Sequence, residues 1–236
     1  LVQEEVLKEC KIKIITGASM GIGKYLLEKY LSLGEDVRGT FFSNPPEFFK
    51  GYYTFVDVTK YDEVSYWIDS ILPLGKIELI NCAAINYNSF AHKSIPSQWE
   101  MVIYVNLIGT FNVIRAVLPY MRKNNYGRII NFSSIVDRLG LTGTSAYAAS
   151  KAGLAGLVRV LATENASMGI TVNNLNLGYF DIGMGRNILP PFRDEIERRI
   201  PTHKFGESEN IYKAVNFIID NSYINGASLD VNGGLV

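Results

Sequence analysis

The sequence predicts an α/β fold, doubly wound around a parallel sheet, and three observations carry that prediction. Short runs rich in Ile and Val alternate with longer amphipathic segments. The runs are mostly apolar throughout, as strands buried on both faces must be. A glycine-rich turn follows the first run directly. Strands alternating with helices imply βαβ units and a parallel sheet.

The candidate elements follow in order. The first strand is 11–16, read from IKIIT, and the helix IGKYLLEKYL opens 22–33. Strands at 36–42 and 52–56 precede a helix at 62–72, and the apolar run at 77–81 precedes a long helix at 96–121. The strand at 127–132 belongs to GRIINFSS, the helix at 147–167 contains YAASK, and the strand at 170–176 follows it. A helix at 208–220 and a strand near 227–231 complete seven strands. No linker-like break divides the chain, so residues 1–236 read as one domain.

Two segments stand outside the alternation. Residues 178–206 carry Pro190, Pro191 and Pro201, with a helix-like stretch at 192–199. Excursions of that length are functional lids or binding loops. Residues 81–96 follow a strand and belong on the sheet's carboxyl edge, where ligands bind in such folds.

Composition narrows the function. Lys plus Arg total 23 and Asp plus Glu total 23, so the basic excess that a nucleic-acid binder needs is absent. A hydrophobic share of 47% with 19% charged residues argues against disorder. No run of about 18 uninterrupted apolar residues predicts a membrane span. Two cysteines, Cys10 and Cys82, make neither a disulfide framework nor a metal site. With no signal-peptide pattern in LVQEEVLKEC, the expected setting is reducing and cytoplasmic.

The turn TGASMGIG at 16–23 joins a strand to a helix. Its glycines let backbone approach a pyrophosphate, which the helix's first amides would hold. The end of the second strand, VRGTFFSN, lacks the acid that would bond a ribose 2′-hydroxyl, which leans toward NADP(H) over NAD(H). Met20 stands where a basic side chain would assist a 2′-phosphate, and Arg38 lies early in the strand.

Tyr147 and Lys151 share one helix face, about 6 Å apart. An ammonium beside a phenol favours the phenolate and lowers its pKa, giving an acid/base pair near neutral pH. Ser133 and Ser134 end a strand on the ligand side, where a hydroxyl can bond a substrate oxygen.

With TGASMGIG, NCAA at 81–84, Asn106 in VNLIGTF, Ser134, YAASK at 147–151 and VNGG at 231–234 in order, the chain resembles the short-chain dehydrogenases/reductases. Within them it looks most like the 3-oxoacyl-[acyl-carrier-protein] reductase branch and the small alcohol dehydrogenases near it. The resemblance implies a Rossmann-type domain and hydride transfer between a nicotinamide and a carbonyl or secondary alcohol. It assigns proton donation to Tyr147, pKa lowering and ribose binding to Lys151, carbonyl polarisation to Ser134, and a helix kink with a relay water to Asn106. It places Gly17, Ser19, Met20, Gly21, Ile22, Gly23, Asp57, Val58, Asn81, Ala83, Gly178 and Ile182 beside the cofactor. Cys82, Ala84, Leu177 and Ile182 depart from the family pattern, and Ile182 lacks the hydroxyl usual there. Asn125 and Met168 replace the basic residues that dock an acyl carrier protein, which speaks against that partner. The long helices 96–121 and 147–167 imply a homodimer or homotetramer. The competing readings are an NAD-dependent alcohol dehydrogenase of a small-molecule pathway and a non-catalytic cofactor sensor. The joint retention of Tyr147, Lys151, Ser134 and Asn106 argues against the sensor.

Overall fold

The computed structural model describes residues 10–71 and 75–235. The reading of the amino terminus, and the expected end of the second helix at Leu72, lie outside the described residues. Seven strands form one sheet: β1 (Lys11–Thr16), β2 (Val37–Phe41), β3 (Tyr53–Phe55), β4 (Lys76–Asn81), β5 (Gly127–Ser134), β6 (Ile170–Leu177) and β7 (Ser228–Val231). Their order is β3-β2-β1-β4-β5-β6-β7, and every neighbouring pair is parallel. The order reverses between β1 and β4, so a crevice opens at their carboxyl ends.

The helices are α1 (Gly21–Ser32), α2 (Tyr61–Ser70), α3 (Pro96–Ile103), α4 (Thr110–Lys123), α5 (Val136–Leu139), α6 (Ser145–Asn165), α7 (Pro190–Arg199) and α8 (Ser208–Asp220). The expected helix 96–121 is not continuous: a π-turn at Tyr104–Gly109 separates α3 from α4. α7 begins two residues before its expected start, with prolines in its first turn. Proline costs nothing there, because those amides have no partner within the helix. Taken together, Pro96–Lys123 is long and apolar enough to cross a membrane, but half of its most apolar stretch is buried in the fold.

Each face of the sheet has its own core. Ile12, Ile14, Ile77, Leu79, Ile129 and Val172 pack against α2, α4 and α6 through Trp67, Val113, Ile114, Val117 and Val158. Ile15, Ile80, Ile130 and Leu175 pack against α1 and α8 through Leu26, Leu27, Tyr30, Val215 and Ile218. Strands apolar on both sides need helices on both sides, which is why the runs show no alternation.

A charged pair interrupts the apolar interior. Lys13 and Glu78 are register partners on β1 and β4, and their side chains are 7% and 1% exposed, with Nζ 2.9 Å from Oε2. Glu35 also bonds Lys13, and Tyr126 donates to Glu78 Oε1 at 2.8 Å. Burial favours a neutral carboxyl, but Lys13 and the Tyr126 hydrogen bond outweigh it and hold Glu78 below its ordinary value.

Candidate active site

The glycine turn lies where β1 hands over to α1. Gly17 has φ +60°, and a Cβ there would lie 2.7 Å from Ala83 Cα. A Cβ on Gly23 would lie 2.4 Å from Gly17 O. Both positions are therefore closed to side chains by backbone. Thr16 Oγ1 accepts from the amides of Cys82 and Ala83, each at 3.1 Å. Thr40 Oγ1 accepts from Gly17 N at 3.1 Å. Together these bonds tie the turn to β2 and β4. Met20, at the N-cap of α1, makes no side-chain cap bond, and the first turn has no acid. The free amides and positive dipole end suit a phosphate, so this cradle fits a dinucleotide.

The flanking residues are placed as follows. Ser19 and Ile22 are half-buried, and Met20 is exposed. Asn44 lies at the end of β2, with Nδ2 3.4 Å from Met20 Sδ and 3.0 Å from Ser43 Oγ. Arg38 is paired with Asp36, and its guanidinium lies over the Tyr52 ring. Asp57 Oδ1 accepts from Thr59 N and Oγ1 at 3.0 and 2.7 Å, which fixes the turn before α2. Val58 O accepts from Asn112 Nδ2 of α4 at 3.0 Å.

Asparagines cross the sheet beside this crevice. Asn81 Nδ2 donates to Asn131 Oδ1 at 2.9 Å, and Asn131 Nδ2 to Asn174 Oδ1 at 3.2 Å. Asn106 lies in the π-turn and is 1% exposed. Its Oδ1 accepts from Ile85 N at 2.8 Å, and its Nδ2 donates to Ile85 O at 2.9 Å and Ser150 Oγ at 3.1 Å. Ser150 donates in turn to Tyr147 O at 2.8 Å. Asn106 thus links the loop after β4 to the turn of α6 that carries Tyr147. Asn106→Ala strands these buried partners and is expected to cost about 1–3 kcal/mol in urea unfolding.

Tyr147 and Lys151 lie one turn apart on α6, with Lys151 Nζ 5.4 Å from the tyrosine ring centroid. The ammonium donates to Phe132 O at 2.6 Å. In this arrangement burial pushes the Tyr147 phenol up to about 12. Burial also lowers Lys151 to about 8. The reason is geometric: the Lys151 ammonium is buried and turned to a strand carbonyl, while Tyr147 is half-buried in the crevice wall.

The two serines at the end of β5 have separate roles. Ser133 is buried and donates to Lys151 O at 3.2 Å. Ser134 is half-buried, accepts from Val136 N at 3.3 Å and donates to Leu177 O at 3.5 Å. Cys82 is partly buried and packs against the α1 side of the sheet, where burial raises its thiol pKa.

The segment 178–206 has a closed neck. Gly178 has no room for a side chain, since a Cβ would lie 2.7 Å from Asn232 Cα. Asp181 N donates to Gly206 O at 3.0 Å, and Gly206 N to Tyr179 O at 2.9 Å. Ile200, Phe205 and Leu235 pack with Ile135, the residue after Ser134. Ile182 packs against the α1 side and is the N-cap of a short 3-10 turn, Gly183–Asn187. Across the crevice, Ser89 N donates to Gly143 O at 2.9 Å, joining the loops after β4 and β5.

Sequence reasoning missed Thr16, Thr40, Ser150 and Gly183. Thr16 ends an apolar strand and Ser150 lies between Tyr147 and Lys151, so their positions were legible, but their partners were not.

A family model described as short chain dehydrogenase matches residues 11–191. The chain is 34% identical to a 3-oxoacyl-[acyl-carrier-protein] reductase of Salmonella typhimurium, covering 96% of this chain and 98% of that protein. It is 37% identical to an acetoacetyl-CoA reductase of Allochromatium vinosum, covering 76% of this chain and 74% of that one. Ligand-free aldohexose dehydrogenase of Thermoplasma acidophilum superposes with a TM-score of 0.86 at 29% identity, over 96% of this chain and 94% of that one.

Proposed function

Because the chain belongs to the short-chain dehydrogenase/reductase family, and so is an oxidoreductase acting on CH–OH or C=O groups, we propose that it reduces a 3-oxoacyl thioester with NADP(H). The observation that carries the reading is the placement of Tyr147 and Lys151 on α6, with Ser134 ending β5 and the glycine cradle opening α1. Relatives that act on 3-oxoacyl and acetoacetyl thioesters support the substrate class.

When bound, the dinucleotide supplies the hydride. Tyr147, held protonated across the neutral range by burial, gives its proton to the carbonyl oxygen. The Ser134 hydroxyl donates a hydrogen bond to that oxygen as negative charge develops on it. Lys151 stabilises the phenolate once its ammonium turns from Phe132 O. Asn106 keeps α6 and the loop after β4 in register, and Gly17, Gly21 and Gly23 keep the phosphate cradle open. Ser43 and Asn44 are the hydrogen-bonding side chains at the end of β2 and would meet a 2′-phosphate without help from Arg38. The occupied Arg38 also favours the competing reading, an NAD-dependent alcohol dehydrogenase.

Binding of NADPH and NADH, followed by turnover on 3-oxoacyl thioesters and on simple ketones and sugars, tests the reading. NADPH preference with thioester turnover is expected; turnover of a sugar with NAD overturns it. Lys151 adds a pH signature. Its ammonium is intact below about 8 and lost above it, so dinucleotide affinity is expected to be flat below that pH and to fall above it. A fluorescence titration that stays flat to about pH 10 would sink the assignment. Met101, Tyr104, Ile108, Phe111 and Val160 expose apolar surface on α3, the π-turn, α4 and α6. They are the proposed contact with a second copy, to be checked by sedimentation.

A further inference from the structure

The first turn of the lid rests on the phosphate cradle with no side chain between them. Gly21 and Gly183 have φ +55° and +57°, and a Cβ on either would lie 3.2 Å from the other's Cα. A Cβ on Gly183 would also lie 3.9 Å from Ile22 N, an amide at the start of α1. Gly183 begins the 3-10 turn Gly183–Asn187, so its own N–H has no acceptor within that turn. Behind it, Gly185 is locked, since a Cβ would lie 2.1 Å from Phe180 O. The neck is pinned by the Asp181 and Gly206 amides. Arg193 bonds Asp181 Oδ1 at 3.1 Å and stacks on Phe205 at 4.1 Å. The far end of the lid has a separate seat, where Thr202 N donates to Gly233 O at 3.3 Å.

We propose that Gly183 is a positioning residue for the dinucleotide: its bare backbone roofs the phosphate cradle, so that fastening the lid's first turn and binding the phosphates are one event. Two left-handed glycines are what this requires. Any side chain at 183 enters the space over Ile22 N, and any side chain at 21 meets the lid's backbone. A lid seated only through Gly233 would fix the far side of the substrate pocket and leave the cradle open. The contact at Gly21 closes it. A Cβ on Gly21 would likewise lie 3.9 Å from Gly183 N, so the contact is backbone against backbone on both sides. The inference rests on the dinucleotide reading above.

Two measurements test it. The first is dinucleotide affinity by nicotinamide fluorescence in Gly183→Ala. The expected result is at least a tenfold rise in Kd, with KM for the cofactor rising by more than kcat falls. Gly34→Ala is the control, because Gly34 has φ +76° with nothing within 4 Å of an added Cβ. It carries the backbone strain without the contact, and its Kd is expected to match the wild type. Equal affinity in Gly183→Ala overturns the proposal, as does equal weakening in Gly34→Ala.

The second measurement uses the unaltered protein. Trypsin sites at Arg186, Arg198 and Arg199 are exposed in the lid. Saturating NADPH is expected to slow cleavage at Arg186, next to the Gly183 seat, several-fold more than at Arg199, near the Gly233 seat. Uniform or absent protection, with binding verified, overturns the proposal alone. Failure of the wild type to bind either dinucleotide overturns it together with the functional reading.

Discussion

Tyr147→Phe is expected to lower kcat by about 10²- to 10⁴-fold, the range that a positioned proton donor supplies. The ring remains to pack, so the variant should melt near the wild-type temperature and still bind dinucleotide in a fluorescence titration. Burial pushes the phenol up to about 12, so in the wild type it stays protonated and able to donate across the neutral range. Steady-state turnover on the best substrate found is the measurement. Turnover within tenfold of wild type would show that the proton comes from elsewhere, and the role given to α6 would fail.

Glu78→Leu is expected to be the most damaging substitution for stability, at about 3–5 kcal/mol, because it leaves the Lys13 ammonium buried with only the partly exposed Glu35 as counter-charge. For a chain of this size that corresponds to roughly 10 °C in melting temperature. Adding Lys13→Met should recover most of the loss, since an apolar pair of similar volume needs no charge compensation. The pH dependence follows from the two shifts. Glu78 is held below its ordinary value, so its contribution is present above that value and lost as pH falls through the lowered one. Lys13 loses by burial but gains more from Glu35 and Glu78, and ends above its ordinary value. Its contribution is present below that value and is lost as pH rises through the raised one. Urea midpoints in wild type should therefore fall at both extremes, and in the double variant much less.

The parts of this molecule that were legible in its sequence are those encoded by local pattern. β1 and α8 fall at their expected bounds, because an Ile-rich run ending at a glycine turn and a capped amphipathic stretch are unambiguous. The Tyr147–Lys151 relation is a consequence of helical pitch and needed no tertiary information. What stayed hidden depends on neighbours. α5 has four residues, too few to show a period. The direction of Tyr147's shift depends on how far the crevice is closed to water, which spacing does not encode. The Lys13–Glu78 pair had a usable signal, the second lysine of KIKIIT and the glutamate of KIELIN, opposite in sign and each out of place inside an apolar strand. Only the register of β1 against β4 brings them together.

The π-turn at Tyr104–Gly109 bears on how this chain tolerates insertion and deletion. A π-turn is an α-helix with one supernumerary residue wound into it. Buried positions run through Val102, Asn106, Thr110, Val113, Val117 and Met121, so the extra residue is absorbed within the turn and the faces on either side keep their phase. Removing one residue anywhere else in α3 or α4 rotates everything beyond it by about 100° and turns the apolar face outward. Removing one within 104–109 would instead yield a straight helix whose flanks still match the sheet. The fold would survive that shortening, whereas the amide that joins Ile85 to Ser150 would be turned away from both.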